Sequence, residues 1–441
     1  MVRDLLPARS GDVARTVPLP LREQADVRDR WLTERLLELL PDLMDEAGID
    51  LWLVSGRENA EDPVLGTLLP ATWLSARRRT ILVLHRSDDG VTPVAVSRYP
   101  VGQFLPAWSA DEVPGQSAEQ SQWAAVRRFV DQAAPRAIGI DVSPGCAAAD
   151  GLSHSDHGQL VEALGPWADR LVSAETLVVR WLETRLPEEV TALRALDARI
   201  QDVVAEAYSP AVLRVGETSA ADLAWWLRQR LTDLGLAPWF HPVVDLQRAG
   251  VPPVAARGTL LPAVPYDEPV QPGDLVHCDV GASTLGLTGD LQRSAYVLRP
   301  GETAAPAGLA DAFALGTRLQ DLTTGQMRPG RTGDEVLAAT RAAAAAECID
   351  GEVYSHPIGV HGHGAGPEIG LWDEQDGVPG PGGHPLRPDT AFALELCVRA
   401  PIPEWGGQCV RMGLEEGVLL TADGVEYLGG RQEELLLLPA G

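Results

Sequence analysis

Two aspartates in the second half of the 441-residue sequence have a spacing typical of a metal-binding hairpin. Asp279 lies inside an apolar run and Asp290 begins the next one, across a glycine-rich connection in PGDLVHCDVGASTLGLTGDLQRSAYVL (272–298). Facing carboxylates in buried strands repel each other unless they share a proton or bind a cation. The segment therefore predicts a metal site, and an ion pair with Arg293 is an equally good interpretation of this segment alone.

A histidine-rich segment supplies an imidazole. SHPIGVHGHGAGPEIGLWDE (355–374) contains three of the nine histidines of the chain, separated by glycines. Glycine lets the backbone approach a small ion closely. We predict His363 as the metal ligand, with His361 as the alternative.

Two glutamates complete the candidate set. Glu395 alternates with apolar residues in AFALELCVR (391–399), and Glu415, or its neighbour Glu416, opens the apolar run of VRMGLEEGVLLTADG (410–424). Four carboxylates and one imidazole favour Mn²⁺, Co²⁺ or Zn²⁺ over a structural zinc site built on thiolates. Two such ions can generate hydroxide and polarise a carbonyl, so we predict metal-assisted hydrolysis.

Composition excludes other chemistries and partners. The net charge is −26, which disfavours nucleic acid and anionic membranes as partners. The sequence has no lysine, which excludes Schiff-base and Walker-type chemistry, and its five scattered cysteines form no CxxC pair. The N-terminus has no apolar signal core and no long apolar stretch follows, so we expect a cytoplasmic protein.

The pattern of elements indicates two domains, 1–182 and 183–441. Helical and strand patterns alternate over the first, which predicts an α/β domain. The stretch around 177–182 is strand-like, and Pro187 then opens a long helix. In the second domain, RVGET (214–218) and RPGRT (328–332) are each followed by Leu-Ala at matching offsets. Each is expected to end in a threonine helix cap, which indicates a duplicated half-domain.

These motifs together resemble the pita-bread metallopeptidases of family M24. The resemblance rests on D-x-G at Asp279, an Asp eleven residues later followed by x-x-Arg, the GHGxG of His363, and the two glutamates in family order. It implies an α+β chain: a C-terminal pita-bread fold with pseudo-twofold α/β halves, preceded by a smaller creatinase-type α/β domain. The closest branch in this resemblance is the aminopeptidase P and prolidase group.

The resemblance also implies a mechanism. A hydroxide that bridges two metal ions attacks the scissile carbonyl, and Glu395 transfers the proton. Nearby histidines hold the substrate and stabilise the tetrahedral intermediate, and the candidates are His241, His356 and His361. A homodimer acting on short peptides is expected. Arg399 and Arg411 are predicted to bind a peptide carboxylate, although structural ion pairs are at least as good an interpretation.

Two departures from the family pattern concern substrate selection. VPPVAARGTLLPAVPY (251–266) has no histidine where relatives usually carry one, and PEIGLWDE (367–374) replaces the usual D-V-H-[DE]. Proline specificity is therefore not supported by the residues. The prediction is a metal-dependent exopeptidase, and the alternatives are a carboxypeptidase, a creatinase-like hydrolase of a small C–N bond, or a non-catalytic binding protein.

Overall fold

The computed structural model of the chain describes residues 18–109, 117–256 and 259–440. The chain forms two compact units, one built mainly from Pro20–Leu182 and the other mainly from Glu183–Gly441. The proposed domain limits are 1–182 and 183–441.

The first unit is built on a six-stranded sheet with strand order β4-β3-β2-β1-β5-β6. β1 pairs antiparallel with β2 and parallel with β5, so the sheet is mixed. Its core is apolar and lies against α4 and α5. The elements are α1 (Leu21–Glu34), a π-helical turn (Arg35–Leu39), α2 (Leu40–Ala47), β1 (Leu51–Arg57), α3 (Leu65–Leu68), β2 (Arg79–Ser87), β3 (Gly90–Ser97), β4 (Leu105–Pro106), α4 (Ala118–Ala133), β5 (Ile138–Ile140), α5 (His154–Leu164), β6 (Leu171–Ser173) and α6 (Glu175–Glu183).

One predicted strand is a helix. The strand-like stretch at 177–182 lies within α6. Leu177, Val178, Trp181 and Leu182 are all buried, and their spacing places them on one face of a helix. The β-branched residues suggested a strand, and packing of this face decided the outcome.

The second unit is built on a nine-stranded sheet with the main order β13-β14-β15-β12-β11-β7. Three further strands pair with strands of this path, β16 with β15, β17 with β12 and β8 with β11. The elements are α7 (Pro187–Ala207), α8 (Ala220–Asp233), β7 (Ala237–Pro238), β8 (Val243–Gln247), β9 (Val254–Ala256), β10 (Thr259–Leu261), β11 (Leu275–Thr284), β12 (Leu287–Val297), α9 (Ala307–Gln326), α10 (Gly333–Ala346), β13 (Gly351–Ile358), β14 (Thr390–Ile402), β15 (Gln408–Leu420), β16 (Val425–Tyr427) and β17 (Leu436–Leu438).

Two helix pairs cover one face of this sheet. α7 and α8 pack on β11 and β12 through one apolar cluster, which includes Val276, Val280 and Leu291. α9 and α10 pack on β13 to β15 through a second cluster, which includes Leu394 and Leu396. Strand residues alternate between faces, so Asp279, Asp290 and Glu395 point to the face opposite these helices.

The repeated cap motifs begin matching helices with one difference. Thr332 caps α10 and forms the expected capping box with Glu335. At α8 the cap is Ser219, in a capping box with Asp222, and the prediction of Thr218 was one residue off. The Thr218 hydroxyl instead closes the preceding turn through the Arg214 N–H at 3.0 Å.

Candidate metal centre

A row of five side chains crosses the sheet of the second unit. Asp279 on β11 is paired with Gln292 on β12, and Gln292 is paired with Glu415 on β15. Glu415 is paired with Glu395 on β14, and Glu395 with Tyr354 on β13. Cross-strand partners project to the same side of a sheet, so the register alone collects three carboxylates.

Two more side chains join this row by strand alternation. Asp290 lies two residues before Gln292 on β12, and His356 lies two residues after Tyr354 on β13. The result is two overlapping ligand groups, in each of which the donor atoms all lie within 4.8 Å of one another. The groups are Asp290, His356 and Glu415, and Asp279, Glu395 and Glu415. Glu415 belongs to both.

Buried donor atoms in these groups need a ligand. No hydrogen-bond partner among the described residues reaches Asp279 Oδ1, Asp290 Oδ1, His356 Nε2 or either oxygen of Glu415. An unpartnered buried polar atom costs about 1–3 kcal/mol, and more when it is charged. Divalent cations held by the two ligand groups would satisfy these atoms, so the residues present fit a divalent metal site.

The electrostatics of the carboxylates point the same way. Burial raises the pKa of Asp279 to about 6 and that of Glu395 to about 8. The pKa values of Asp290 and Glu415 rise well above the usual range, first through burial and then through the neighbouring carboxylates. A bound cation favours the ionised carboxylates and so opposes the effects of both burial and mutual repulsion on these pKa values.

The imidazole of His356 is prepared for coordination. Burial, with a smaller contribution from His363, lowers its pKa to about 3. The ring is therefore neutral at physiological pH, which is the form that binds metal. Its Nδ1 lies 3.2 Å from the Pro357 carbonyl oxygen. A hydrogen bond there from Nδ1–H leaves Nε2 as the free donor atom.

The other predicted histidines lie outside both ligand groups. His363 Nε2 is 3.2 Å from the Tyr354 hydroxyl, and the His363 ring centroid is 4.7 Å from that of His356. His361 follows β13 in the same loop, and burial lowers its pKa. His241 packs on Trp225 with ring centroids 4.7 Å apart. Among the described residues, the geometry thus favours His356 over His363 as the metal ligand.

The two candidate arginines have different surroundings. Arg399 donates to Asp350 at 2.9 Å and to Glu352 at 2.6 Å, so structural ion pairs occupy its guanidinium. Arg411 lies over the Trp372 ring at 4.6 Å. Burial raises the pKa of Asp279, and the charge of Arg411 opposes part of that rise. The geometry therefore favours Arg411 for substrate contact.

The alternative explanation of the aspartates as partners of Arg293 is not supported. Arg293 Nη2 is 3.0 Å from Glu416 Oε2, on the helix-covered face of the sheet. Glu415 and Glu416 therefore have separate roles, because alternation sends them to opposite faces. The ambiguity between them is resolved by the pairing of Glu415 with Glu395.

Sequence reasoning missed an aromatic group beside the ligands. Trp239 and Tyr354 lie 5.1 and 5.9 Å from His363, measured between ring centroids, and Tyr354 lies 5.6 Å from Trp372. Gly362 packs so closely on Trp239 that an added Cβ would lie 2.5 Å from the indole. Of these aromatic residues, only Tyr354 could have been predicted from the sequence, because it lies two residues before His356 and strand alternation places both on one face.

The sequence model described as "Metallopeptidase family M24" matches residues 193–422, which include all five residues of the ligand groups. The chain belongs to this family. It is 29% identical over 182 residues to the "Uncharacterized peptidase YqhT" of Bacillus subtilis (strain 168). That match covers 41% of this chain and 46% of the relative, so the chain spans about half the length of the curated relative.

Solved structures show the same fold over most of the chain. The X-Pro aminopeptidase from Thermotoga maritima MSB8 matches with a TM-score of 0.62 at 17% identity, over 90% of this chain and 99% of that one. The dipeptidase PepE from Mycobacterium ulcerans matches with a TM-score of 0.60 at 21% identity, over 94% and 99%. The predicted α+β pita-bread fold of the aminopeptidase P and prolidase branch is confirmed.

None of the helices in the described residues is both long enough and apolar enough to span a membrane.

Proposed function

We propose that this M24 chain is a metal-dependent exopeptidase that hydrolyses short peptides with two divalent ions. One observation carries the proposal: two groups of buried ligand atoms share Glu415, whose two oxygens have no partner among the described residues. A carboxylate with two free oxygens suits a bridge between two ions. Asp290 and His356 would hold one ion with Glu415, and Asp279 and Glu395 the other.

The donor set also guides the choice of metal. Four carboxylates with one imidazole suit Mn²⁺, Co²⁺ or Zn²⁺. Such ions, when bound, lower the pKa of water and polarise a carbonyl. The protein residues then position the substrate and move the proton. We assign proton transfer to Glu395, because the Gln292 amide fixes one of its oxygens at 2.5 Å.

The side chains around the ligand groups suit a peptide substrate. The Tyr354 hydroxyl and His363 Nε2 are 3.2 Å apart beside His356. When Nε2–H of His363 donates to the Tyr354 oxygen, the Tyr354 O–H is free to donate to a substrate oxygen that gains negative charge. Trp239 and Trp372 supply apolar surface. Arg411 supplies a guanidinium for a peptide carboxylate, which limits the substrate to short peptides.

The direction of cleavage has two candidates. A carboxylate on Arg411 fits a dipeptidase, and it also fits removal of a C-terminal residue. X-Pro peptides are included among the proposed substrates because the Thermotoga structure is titled an X-Pro aminopeptidase. A homodimer in the cytoplasm remains part of the proposal.

The test is mass spectrometry of products from a small peptide set, with metal-free protein and with added Mn²⁺, Co²⁺ or Zn²⁺. The set contains Xaa-Pro dipeptides, Xaa-Pro-Yaa tripeptides and peptides blocked at either end. Metal-dependent loss of one terminal residue is expected, and the blocked end that prevents it gives the direction. Glu415→Gln should be inactive, whereas Glu426→Gln, at an exposed position of β16, should match the wild type.

Two results would contradict the proposal. Failure to bind any divalent ion would remove the metal centre and favour a binding role without catalysis. Binding of two ions without cleavage of any peptide would favour a creatinase-like reaction on a small non-peptide substrate. Ion stoichiometry, measured on the same samples, distinguishes these results.

A further inference from the structure

A buried glutamine, Gln292, connects the row of ligand side chains to His277, which belongs to neither ligand group. Gln292 is 3% exposed and lies on β12 between Asp279 and Glu415 in the cross-strand register. Its Nε2 donates to Glu395 Oε1 at 2.5 Å, and its Oε1 lies 2.8 Å from His277 Nε2. Gln292 thus contacts a metal-ligand candidate on one side and a non-ligand on the other.

The chemistry of the three groups fixes the direction of the hydrogen bonds. The ionised carboxylate of Glu395 only accepts hydrogen bonds, so in that form the Gln292 amide presents its N–H₂ end there. The amide oxygen then faces His277, whose Nε2 must carry the hydrogen. The other ring nitrogen, Nδ1, lies 3.9 Å from Asp245 Oδ2, which is too far for a direct hydrogen bond.

The neighbouring strand leaves room for this arrangement. Gly413 lies two residues before Glu415 on β15 and faces the same side. A Cβ at Gly413 would lie 2.8 Å from Gln292 Oε1 and 3.0 Å from His277 Nε2. The missing side chain at position 413 therefore allows the Gln292–His277 contact, and any larger residue would displace it.

We propose that Gln292 is a positioning residue that fixes the carboxylate of Glu395, and that His277 fixes the amide of Gln292. One oxygen of Glu395 is tied to Gln292, which leaves the other free for the metal or for proton transfer. No described group lies within hydrogen-bond geometry of either oxygen of Glu415, which matches its place in both ligand groups. The inference rests on the proposed metal centre and concerns the division of roles between its two glutamates.

The test measures Mn²⁺ binding to the metal-free full-length chain by titration calorimetry, together with kcat and KM for a cleaved peptide. Gln292→Leu removes the donor at nearly constant volume, and outer-shell changes of this kind typically cost about 10–100-fold in metal affinity or activity. We expect at least a tenfold loss of affinity or kcat, with little change in KM. Ser294→Ala, two residues further along the same strand, is the control and should bind like the wild type.

Three further variants separate positioning from loss of packing. Gly413→Ala leaves Gln292 and His277 intact and should reproduce the loss by moving their contact. His277→Leu should also reproduce it, and His277→Gln should restore binding because an amide N–H can replace the ring N–H. Thermal unfolding of each metal-free variant shows whether it is folded.

The outcomes distinguish this inference from the proposed function. If the wild type binds no Mn²⁺, the proposed function fails. If the wild type binds Mn²⁺ and folded Gln292→Leu and Gly413→Ala match it in affinity and kcat, the positioning role is wrong. Equal losses for His277→Leu and His277→Gln would show that His277 acts through packing alone, which would overturn its assigned role.

Discussion

Both units of the chain bury carboxylates, but they satisfy them differently. In the first unit, Asp156 forms an ion pair with Arg79 at 2.9 Å, and Asp141 accepts the Trp52 indole N–H at 2.8 Å. Asp62 Oδ2 and Asp141 Oδ2 also lack a hydrogen-bond partner among the described residues, but the two carboxyls lie side by side, and one proton between them would satisfy both. In the second unit, the ligand groups keep several unpartnered oxygens and an unpartnered imidazole nitrogen.

This difference separates a structural acidic cluster from a binding one. Burial of a carboxylate is not a sign of function by itself, because a proton or an arginine can satisfy it. The distinguishing feature is the number of donor atoms that protein groups leave unmatched. One shared proton is enough for Asp62 and Asp141, whereas the four carboxylates of the second unit need more positive charge.

The largest expected effect comes from removing the shared ligand. Glu415→Gln should abolish binding at both proposed ions, because Glu415 belongs to both groups. Residues that only hold a metal ligand in place typically cost up to about 100-fold in affinity or activity when they are changed. Because Glu415 is itself a proposed ligand, we expect activity to fall by more than that. Mn²⁺ titration and peptide hydrolysis measure the two losses.

The matched control is an equivalent substitution in the first unit. Asp141→Asn removes an equally buried carboxylate but should leave Mn²⁺ stoichiometry and activity unchanged. A loss of ion binding in this variant would contradict the comparison, because it would show that the acidic cluster of the first unit also binds metal.

Metal addition should stabilise the protein. A ligand at 100 times its Kd stabilises the folded state by about 2.7 kcal/mol, so the unfolding temperature should rise with added Mn²⁺ and fall with a chelator. Differential scanning calorimetry of the wild type measures the shift. The unfolding temperature of Glu415→Gln should not shift with Mn²⁺, and that of Asp62→Asn should shift as much as that of the wild type. The reverse pattern would mean that the ions bind in the first unit.

The acidic pair of the first unit should respond to pH instead. Burial raises the pKa of Asp62 to about 6. A raised pKa means that stability is fully present below the unfolded value of about 4 and is lost as pH rises towards 6. Asp62→Asn should therefore be more stable than the wild type at pH 8, by an amount on the order of 2 kcal/mol.

The measurement is urea unfolding of both proteins at pH 4 and pH 8, each without metal. The difference between the proteins should appear only at pH 8, since the wild-type pair is protonated at pH 4. An equal difference at both values would mean that the substitution acts through packing and that the pair has no raised pKa.

The sequence was sufficient where the information is local. The two apolar runs on either side of the glycine-rich connection predicted the positions of Asp279 and Asp290 on β11 and β12, and Thr332 with Glu335 marked the start of α10. Glu415 could not be separated from Glu416 by sequence, because this depends on which one pairs with Glu395. That pairing joins strands through the register of the whole sheet.

The histidines show the same limit more clearly. From the sequence alone, the glycines after β13 would allow either His361 or His363 to approach the other ligands. The pairing of His356 with Ala393, beside that of Tyr354 with Glu395, brings His356 to the carboxylates instead. Strand alternation from Asp290 could have predicted that Gln292 faces the ligands. Its contacts with Glu395 and His277 could not be predicted, because they depend on the register of three different strands.

The smallest expected effect concerns Arg411 and Arg399, which the sequence alone could not distinguish as candidates for binding a peptide carboxylate. Arg411→Leu should raise KM for a short peptide with a free C-terminal carboxylate about tenfold, near the low end for a hydrogen bond to a charged group. Arg399→Leu should leave KM unchanged, because Asp350 and Glu352 already occupy its guanidinium. Steady-state kinetics on a free and an amidated peptide measures both. For Arg411→Leu the difference between the two peptides should vanish, whereas a persistent preference for the free carboxylate would assign its recognition to another residue.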